Sequence, residues 1–345
     1  MIPVLVLLLA ADLSEIRPRM QQFVDTGSVA GVVTLVQKDG RRLHLEATGW
    51  QDVEKKIPMK TDTIFEIMSM TKPVTGVAIA ILAEEGKLSF QDPVVKYLPE
   101  FAGRKETIRD LMTHTSGMPE YGPPATKDLY GKFNWTLEQA VLLFSQQPPI
   151  SEPQKVWQYS NPGIATLGRI VEVISGVPYE RFCEERIFRP LGMKDTHFYI
   201  PDSKKSRVAM VYMWSKDGKS QPAGPAVYRA GSKYPMPEGG LYSTAEDYAK
   251  FLEAMRKGGA PVLSGNTVDV MIQNHTASIP KAPSWGLSWA VDSSKEGFGH
   301  GGAFGTQAWA ERKTGIVRIL MVQKFGAPTE DIRNAFTNIV NASLH

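Results

Sequence analysis

Ser69-Met-Thr-Lys72 sets a hydroxyl and a primary amine three residues apart, a spacing that puts both on one face of a helix. The chemistry open to such a pair is nucleophilic. A serine hydroxyl attacks carbonyls poorly until a neighbouring base accepts its proton. A free lysine, with a reference pKa of about 10.4, is protonated at neutral pH and cannot serve. Burial or nearby positive charge lowers that value and makes it a base. Pro73 confines Ser69 and Lys72 to the opening of a helix, where exposed amides supply the positive field an oxyanion needs. The competing reading is a helix cap beside a solvated lysine. The spacing recurs at Ser278-Ile-Pro-Lys281, but Pro280 disfavours a helix there, so we read that match as chance.

Two further motifs bear on the choice. Tyr159-Ser160-Asn161 precedes an apolar helical pattern, and His300-Gly301-Gly302-Ala303 is expected to open a C-terminal strand. A tyrosine held near a cation can relay protons, and an asparagine amide can grip a substrate carbonyl or order the lysine. Paired glycines let a substrate or a catalytic serine approach the backbone. The plainer alternatives are a core tyrosine and a satisfied strand histidine. A literal Lys313-Thr314-Gly315 lies between two strand-like runs and reads as a hairpin turn. No Gly-x-Ser-x-Gly occurs, which excludes a nucleophile elbow of the α/β-hydrolase kind. His114, in Thr113-His-Thr-Ser-Gly117, is assigned a structural role.

In this order the three motifs resemble those of the serine β-lactamase and penicillin-binding-protein superfamily. The nearest branch holds class C β-lactamases, D-alanyl-D-alanine carboxypeptidases and family VIII carboxylesterases. Thr107-Ile-Arg-Asp-Leu-Met-Thr-His-Thr-Ser-Gly117, Arg186-Ile-Phe-Arg-Pro-Leu-Gly-Met193 and Gly239-Gly-Leu-Tyr-Ser-Thr-Ala245 are also similar to family sequence, and the resemblance spans about residues 20–340. It implies Ser69 as the acylated nucleophile, Lys72 as its base, and Tyr159 as the proton shuttle to the leaving group. It further implies Asn161, His300 and Gly302 as substrate contacts, with the backbone amides of Ser69 and Ala303 as the oxyanion hole. His300 stands where β-lactamases usually carry the lysine of Lys-Thr-Gly. A lysine there offers a permanent cation to a substrate carboxylate, whereas histidine, with a reference pKa near 6.5, is largely neutral at pH 7. The departure favours a carboxylesterase acting on short-chain uncharged esters. A β-lactamase or D-alanyl-D-alanine carboxypeptidase is the alternative, since some peptidases of the superfamily also resemble the histidine pattern. An acylating sensor without turnover is an alternative of another class.

The elements that would position these residues can be read from periodicity. Val29 to Gln37 is a strand, Asp39-Gly40 turns the chain, and Leu43, Leu45 and Ala47 alternate on the return, leaving His44 exposed or lightly packed on the other face. Val74, Val77, Ala78, Ile81 and Leu82 stripe a helix capped at Gly86. Thr107 to Thr113 is a short helical segment, and Ile164, Leu167, Val171 and Ile174 mark a helix ending at Gly176. Residues 202–238 read as a long irregular excursion. Ser243-Thr-Ala-Glu246 is a capping box for a helix burying Tyr248, Phe251, Leu252 and Met255 and stopping at Gly258. Ser284 to Val291, Phe298 to Ala310 and Ile316 to Val322 are strand-like, and Ile332, Phe336, Ile339 and Val340 form a last helix. Strands at both ends predict an α+β fold, one antiparallel sheet built from both termini and flanked by helices. The expected division is a sheet-and-helix domain over 12–86 and 237–345 with an inserted, mainly helical lobe over 87–236.

Composition adds bounds. The 345 residues are 42% hydrophobic and 22% charged with a net charge of +3, ordinary for a globular protein and no footprint for nucleic acid. Lys204, Lys205 and Arg207 read as a solvated loop. The single cysteine, Cys183, precludes an intrachain disulfide and lies among core residues at helical spacing. Nothing calls for a cofactor or metal, and the partner expected is a small-molecule ester or β-lactam; the oligomeric state stays open. Ile2 to Ala11 is an apolar, signal-like run, too short to span a bilayer and with no Lys or Arg before it. No stable membrane insertion is expected, and location stays open between cytoplasm and export.

Overall fold

The structure, a computed structural model, describes residues 12–126, 134–214, 220–225, 232–294, 296–326 and 328–344; the apolar run Ile2 to Ala11 lies outside them. The first hairpin joins β1 (Gly31–Lys38) to β2 (Arg41–Asp52). Asp39 and Gly40 both take positive φ, 51° and 80°, the two-residue turn whose twist matches that of paired strands. Two short pieces follow, β3 (Ile57–Pro58) and β4 (Phe65–Glu66). Much later come β5 (Met210–Trp214), β6 (Ser220–Pro225) and β7 (Tyr242–Ser243). The C-terminal strands are β8 (Ala290–Asp292), β9 (Gly297–Gly301), β10 (Gln307–Glu311), β11 (Ile316–Met321) and β12 (Lys324–Phe325).

Seven of these form one sheet in the order β3-β2-β1-β11-β10-β9-β8. The two chain ends meet where β1 runs antiparallel to β11, Val33 opposite Met321 through Lys38 opposite Ile316. The sheet is therefore antiparallel and shared between the termini, as the α+β reading requires. Alternation divides its side chains. Val32, Val36, Ile316 and Leu320 pack with the helices Ile16–Asp25 and Glu330–Leu344. Val33, Leu35, Val317, Ile319 and Met321 face the main core, which continues through Lys72–Glu84, Leu137–Ser145, Asn161–Ser175 and Ala245–Arg256. Lys72–Glu84 is buried over its first eleven residues rather than along a stripe. It is the central helix, and each fully buried Val, Ile or Leu on it contributes on the order of 1.5–3 kcal/mol.

Several expectations need correcting. His44 is buried, because β2 turns that face inward beneath the terminal helices, and its Nε2 lies 2.8 Å from Thr34 Oγ1. Residues 202–238 are not wholly irregular: Asp202–Arg207 is a 3-10 helix, and β5 pairs with β6 and, in parallel, with β12. Lys204, Lys205 and Arg207 are not simply solvated either. Arg207 forks onto both oxygens of Asp195 at 2.8 and 3.0 Å, Lys204 joins it at 3.0 Å, and Lys205 pairs with Asp202. The cap of Ala245–Arg256 is Thr244, which accepts from the Asp247 amide, while Ser243 bonds Thr196 instead. Of the run 284–291 only the last two residues are strand, as the start of Ala290–Asp292, and Phe298 to Ala310 is two strands joined by a turn at residues 302–306. Thus His300-Gly301 ends β9 rather than opening a strand. Cys183 is fully buried in the core, and burial pushes its thiol pKa up.

Candidate active site

Ser69 sits in a single 3-10 turn, Met68–Thr71, and Lys72 opens the central helix directly behind it, with Pro73 in the first turn. Met68 takes a φ of 49°, a strained setting for a long side chain that costs about 1–3 kcal/mol. The neighbouring segment 239–242 holds the turn in this shape. Ile67 donates its amide to the Leu241 carbonyl (2.9 Å), the Leu241 amide donates to Thr71 Oγ1 (3.1 Å), and that hydroxyl donates to the Met68 carbonyl (2.7 Å). The Tyr248 hydroxyl closes the clamp on the Met70 carbonyl at 2.7 Å.

Lys72 is fully buried, and its ammonium donates to Ser69 Oγ (3.1 Å), Asn161 Oδ1 (2.8 Å) and the Glu238 carbonyl (2.7 Å). Burial brings its pKa down to about 7, against an opposing pull from the Glu238 carboxylate. A lysine in this state is in part a free amine at neutral pH, directed at the serine. Tyr159 completes the group, its ring centroid 4.7 Å from Lys72 Nζ. Burial raises its phenol pKa, while a hydrogen bond with Ser69 works the other way. The phenol therefore keeps its proton and can donate it. Ser160 caps the helix Asn161–Ser175 through its hydroxyl, which fixes Asn161 in the first turn with Oδ1 toward the lysine.

The opposite wall comes from β9. His300 is 7% exposed and its Nδ1 donates to the Gly301 carbonyl at 2.6 Å. Burial first, then the nearby Lys72 cation, depress its pKa to about 3. Its imidazole is neutral throughout the physiological range. Gly302 lies against the backbone ahead of the nucleophile: a Cβ there would collide with Thr306 Oγ1 and the Ile67 carbonyl. Thr306 Oγ1 donates to that same Ile67 carbonyl at 3.2 Å. The turn at 302–306 is thus docked onto the segment that carries Ser69. All the sequence-predicted groups are brought together: Ser69, Lys72, Tyr159 and Asn161 on one side, His300, Gly302 and Ala303 on the other.

The family model described as Beta-lactamase matches residues 16–342. The chain belongs to the β-lactamase family. Among curated relatives, Esterase EstB of Burkholderia gladioli is 27% identical, over 76% of this chain and 74% of that one. Penicillin-binding protein 4* of Bacillus subtilis (strain 168) is 35% identical, over 48% of this chain and 37% of that one. Of solved structures, "EstCE1, a hydrolase with promiscuous acyltransferase activity" superposes with a TM-score of 0.81 at 22% identity, covering 96% of this chain and 97% of that one. This β-lactamase family member is a serine hydrolase of the β-lactamase and penicillin-binding-protein superfamily.

Other residues of this β-lactamase family site were not singled out from sequence. Glu238 is buried and accepts from the Tyr234 hydroxyl at 2.9 Å, and its carboxylate lies close enough to act on Lys72. Trp157 and Trp285 surround His114 with Tyr159, the His114 ring lying 4.5 Å from Tyr159. His114 Nδ1 accepts the Ser160 amide at 3.1 Å, so its assigned structural role is that of a brace behind the tyrosine. Arg333, on the last helix, reaches the turn at 302–306. None of these carries a local signal: Glu238 is far in sequence from Lys72, His114 from Ser160, and Arg333 from the turn it reaches. Among the described residues no cluster of three or more His, Cys, Asp or Glu could hold a metal, and no helix is long and apolar enough to cross a membrane.

Proposed function

We propose that the protein is a carboxylesterase of the family VIII kind, acting on short-chain uncharged esters through an acyl-enzyme on Ser69. Lys72 as free amine takes the Ser69 proton while Oγ attacks the ester carbonyl. The tetrahedral oxygen lies between the Ser69 and Ala303 amides. Tyr159, a neutral phenol, passes a proton to the departing alcohol and then helps activate the water that releases the acid. Asn161 orders Lys72 through Oδ1, leaving its NH2 for the substrate carbonyl, and Gly302 allows substrate close to the backbone. This reading takes 12–86 with 237–345 as the sheet-bearing unit and 87–236 as the lobe that supplies Tyr159 and Asn161.

The observation that carries the substrate assignment is the state of His300. A neutral imidazole, with Nδ1 committed to Gly301, offers no cation to a carboxylate. Likeness to Esterase EstB supports the same choice. The second reading, β-lactamase or D-alanyl-D-alanine carboxypeptidase, draws on the partial likeness to Penicillin-binding protein 4*. A stalled acyl-enzyme, as in a sensor, is the alternative of another class. The test is turnover of a p-nitrophenyl butyrate, a cephalosporin and a D-alanyl-D-alanine peptide by the same preparation. The ester is expected to have the highest kcat/KM. Faster turnover of either anionic substrate overturns the esterase assignment, and a burst without turnover for all three favours the sensor.

A further inference from the structure

The helix Glu330–Leu344 packs on the far face of the sheet from the central helix, yet one of its side chains reaches the turn that ends β9. Arg333 donates from Nη2 to the Gly302 carbonyl (2.7 Å) and the Thr306 carbonyl (3.1 Å), and from Nε to the Gly305 carbonyl (3.2 Å). Burial lowers its pKa, and the charge of Glu330, three residues earlier on the same helix, works the other way. Arg333 is half-buried, and a partly desolvated guanidinium needs acceptors for its N–H groups. Here that charge is spread over three carbonyls of a single turn.

One of those carbonyls matters more than the others. Gly302 C=O and Ala303 N–H belong to the same peptide unit, and the Ala303 amide is the second donor of the proposed oxyanion hole. A cation on the oxygen of an amide draws electron density from its nitrogen and makes the N–H a stronger donor. Hydrogen bonds in chains strengthen one another in this way by about 10–30% per bond. The positive charge is thus conducted through one peptide bond to the point where negative charge develops, at no reorganisation cost during the reaction. The Gly305 amide, which also donates to the Gly302 carbonyl at 3.0 Å, adds to the same polarisation.

We infer that Arg333 is a positioning residue for acyl transfer, holding the turn at 302–306 in place and polarising the Gly302–Ala303 peptide toward the oxyanion. The inference rests on the acyl-enzyme reading of Ser69 and adds a residue to it from the opposite face of the sheet. Its effect belongs to the tetrahedral state, where the oxygen is charged, and scarcely to the bound ester, where it is not. Arg333→Met should therefore lower kcat on p-nitrophenyl butyrate by roughly tenfold, less than the roughly 10²-fold loss of a whole oxyanion donor, with KM little changed. A trifluoromethyl ketone, which forms a charged tetrahedral adduct on serine, should bind the variant weaker by a similar factor. Butyrate alcohol analogues that stay neutral should bind as before.

Arg333→Lys, which keeps the charge but reaches fewer carbonyls, should recover part of kcat, and thermal melting of both variants checks that they fold. A loss in kcat that charge alone does not partly restore, or one that falls equally on the neutral competitor, overturns the inference in favour of a purely architectural arginine. Arg333→Met with kcat within twofold of the native value overturns it outright. The acyl-enzyme reading fails separately, if a fluorophosphonate labels the native chain at any residue other than Ser69.

Discussion

The chain contains the same four-residue pattern twice, and the two settings could hardly differ more. Ser69 and Lys72 straddle the junction of a 3-10 turn and a buried helix, with Nζ 3.1 Å from Oγ. Ser278 and Lys281 lie in an exposed turn interrupted by Pro280, with Lys281 itself at a φ of 60°. The first pair is hydrogen-bonded, and burial brings the pKa of Lys72 down to about 7. What makes a nucleophile is therefore the surroundings: a helix opening, a desolvated amine, a strained Met68 held by the 239–242 segment, and a docked turn opposite. The motif supplies the atoms, and the fold supplies their pKa values and distances.

The sharpest way to break this comparison is to exchange the two serines' fates. Ser69→Ala should abolish ester turnover, by roughly 10⁴-fold or more, whereas Ser278→Ala should leave kcat/KM within twofold. Labelling by a fluorophosphonate followed by peptide mapping checks the assignment independently, and a label on Ser278 would falsify our choice between the two pairs.

A second prediction leaves the Ser-x-x-Lys pair intact and disturbs only what faces it. Gly302→Ala must push the turn off the Ile67 carbonyl and Thr306 Oγ1, since its Cβ has no room there. The Ala303 amide then moves away from Ser69, and kcat should fall on the order of 10²-fold while melting changes far less. Equal losses in the neighbouring variant Gly301→Ala, where a Cβ meets nothing closer than 3.6 Å, would show that the effect is not specific to the docked glycine.

A third prediction changes the charge of the wall. His300→Lys places an ammonium where the neutral imidazole now sits, and a new charge-assisted hydrogen bond to a substrate carboxylate is worth about 1.5–3 kcal/mol. The ratio of kcat/KM for a cephalosporin to that for a butyrate ester should rise roughly ten- to a hundredfold. A ratio that stays level, or moves toward the ester, removes His300 as the residue that sets substrate charge.

The sheet, its shared termini and the main helices were legible in the sequence because their signals are local and periodic: alternation in Val32 to Val36, an Asp-Gly turn, apolar residues at helical spacing. Errors gathered where one contact across the chain outweighs the local pattern. His44 is drawn inward by Thr34 and the terminal helices, and the run 298–310 is broken because Gly302 must dock on Ile67. The groups that set the electrostatics were the least legible. Glu238 and Arg333 look like ordinary charged residues until the fold brings one to Lys72 and the other, thirty-one positions on, to the Gly302 carbonyl.

Glu238 gives the smallest and most direct measure of how setting governs motif. Its carboxylate favours the charged form of Lys72 and so holds that pKa higher than burial alone would. As general base, Lys72 is active when neutral, and kcat/KM should rise with pH through an apparent pKa near 7, the free-enzyme value. Glu238→Gln keeps the shape and an acceptor for the Tyr234 hydroxyl but removes the negative charge. The ammonium loses stabilisation, the pKa of Lys72 falls, and the acid limb of the profile moves to lower pH. At pH 6 the variant should then be relatively more active than the native chain, with plateau rates at pH 8.5 changed severalfold at most. A limb that moves to higher pH, or does not move, would mean that Lys72 is not the group whose ionisation the profile reports. In that event the depressed lysine would be a structural feature of the buried helix opening, and the base for Ser69 would have to be sought in Tyr159.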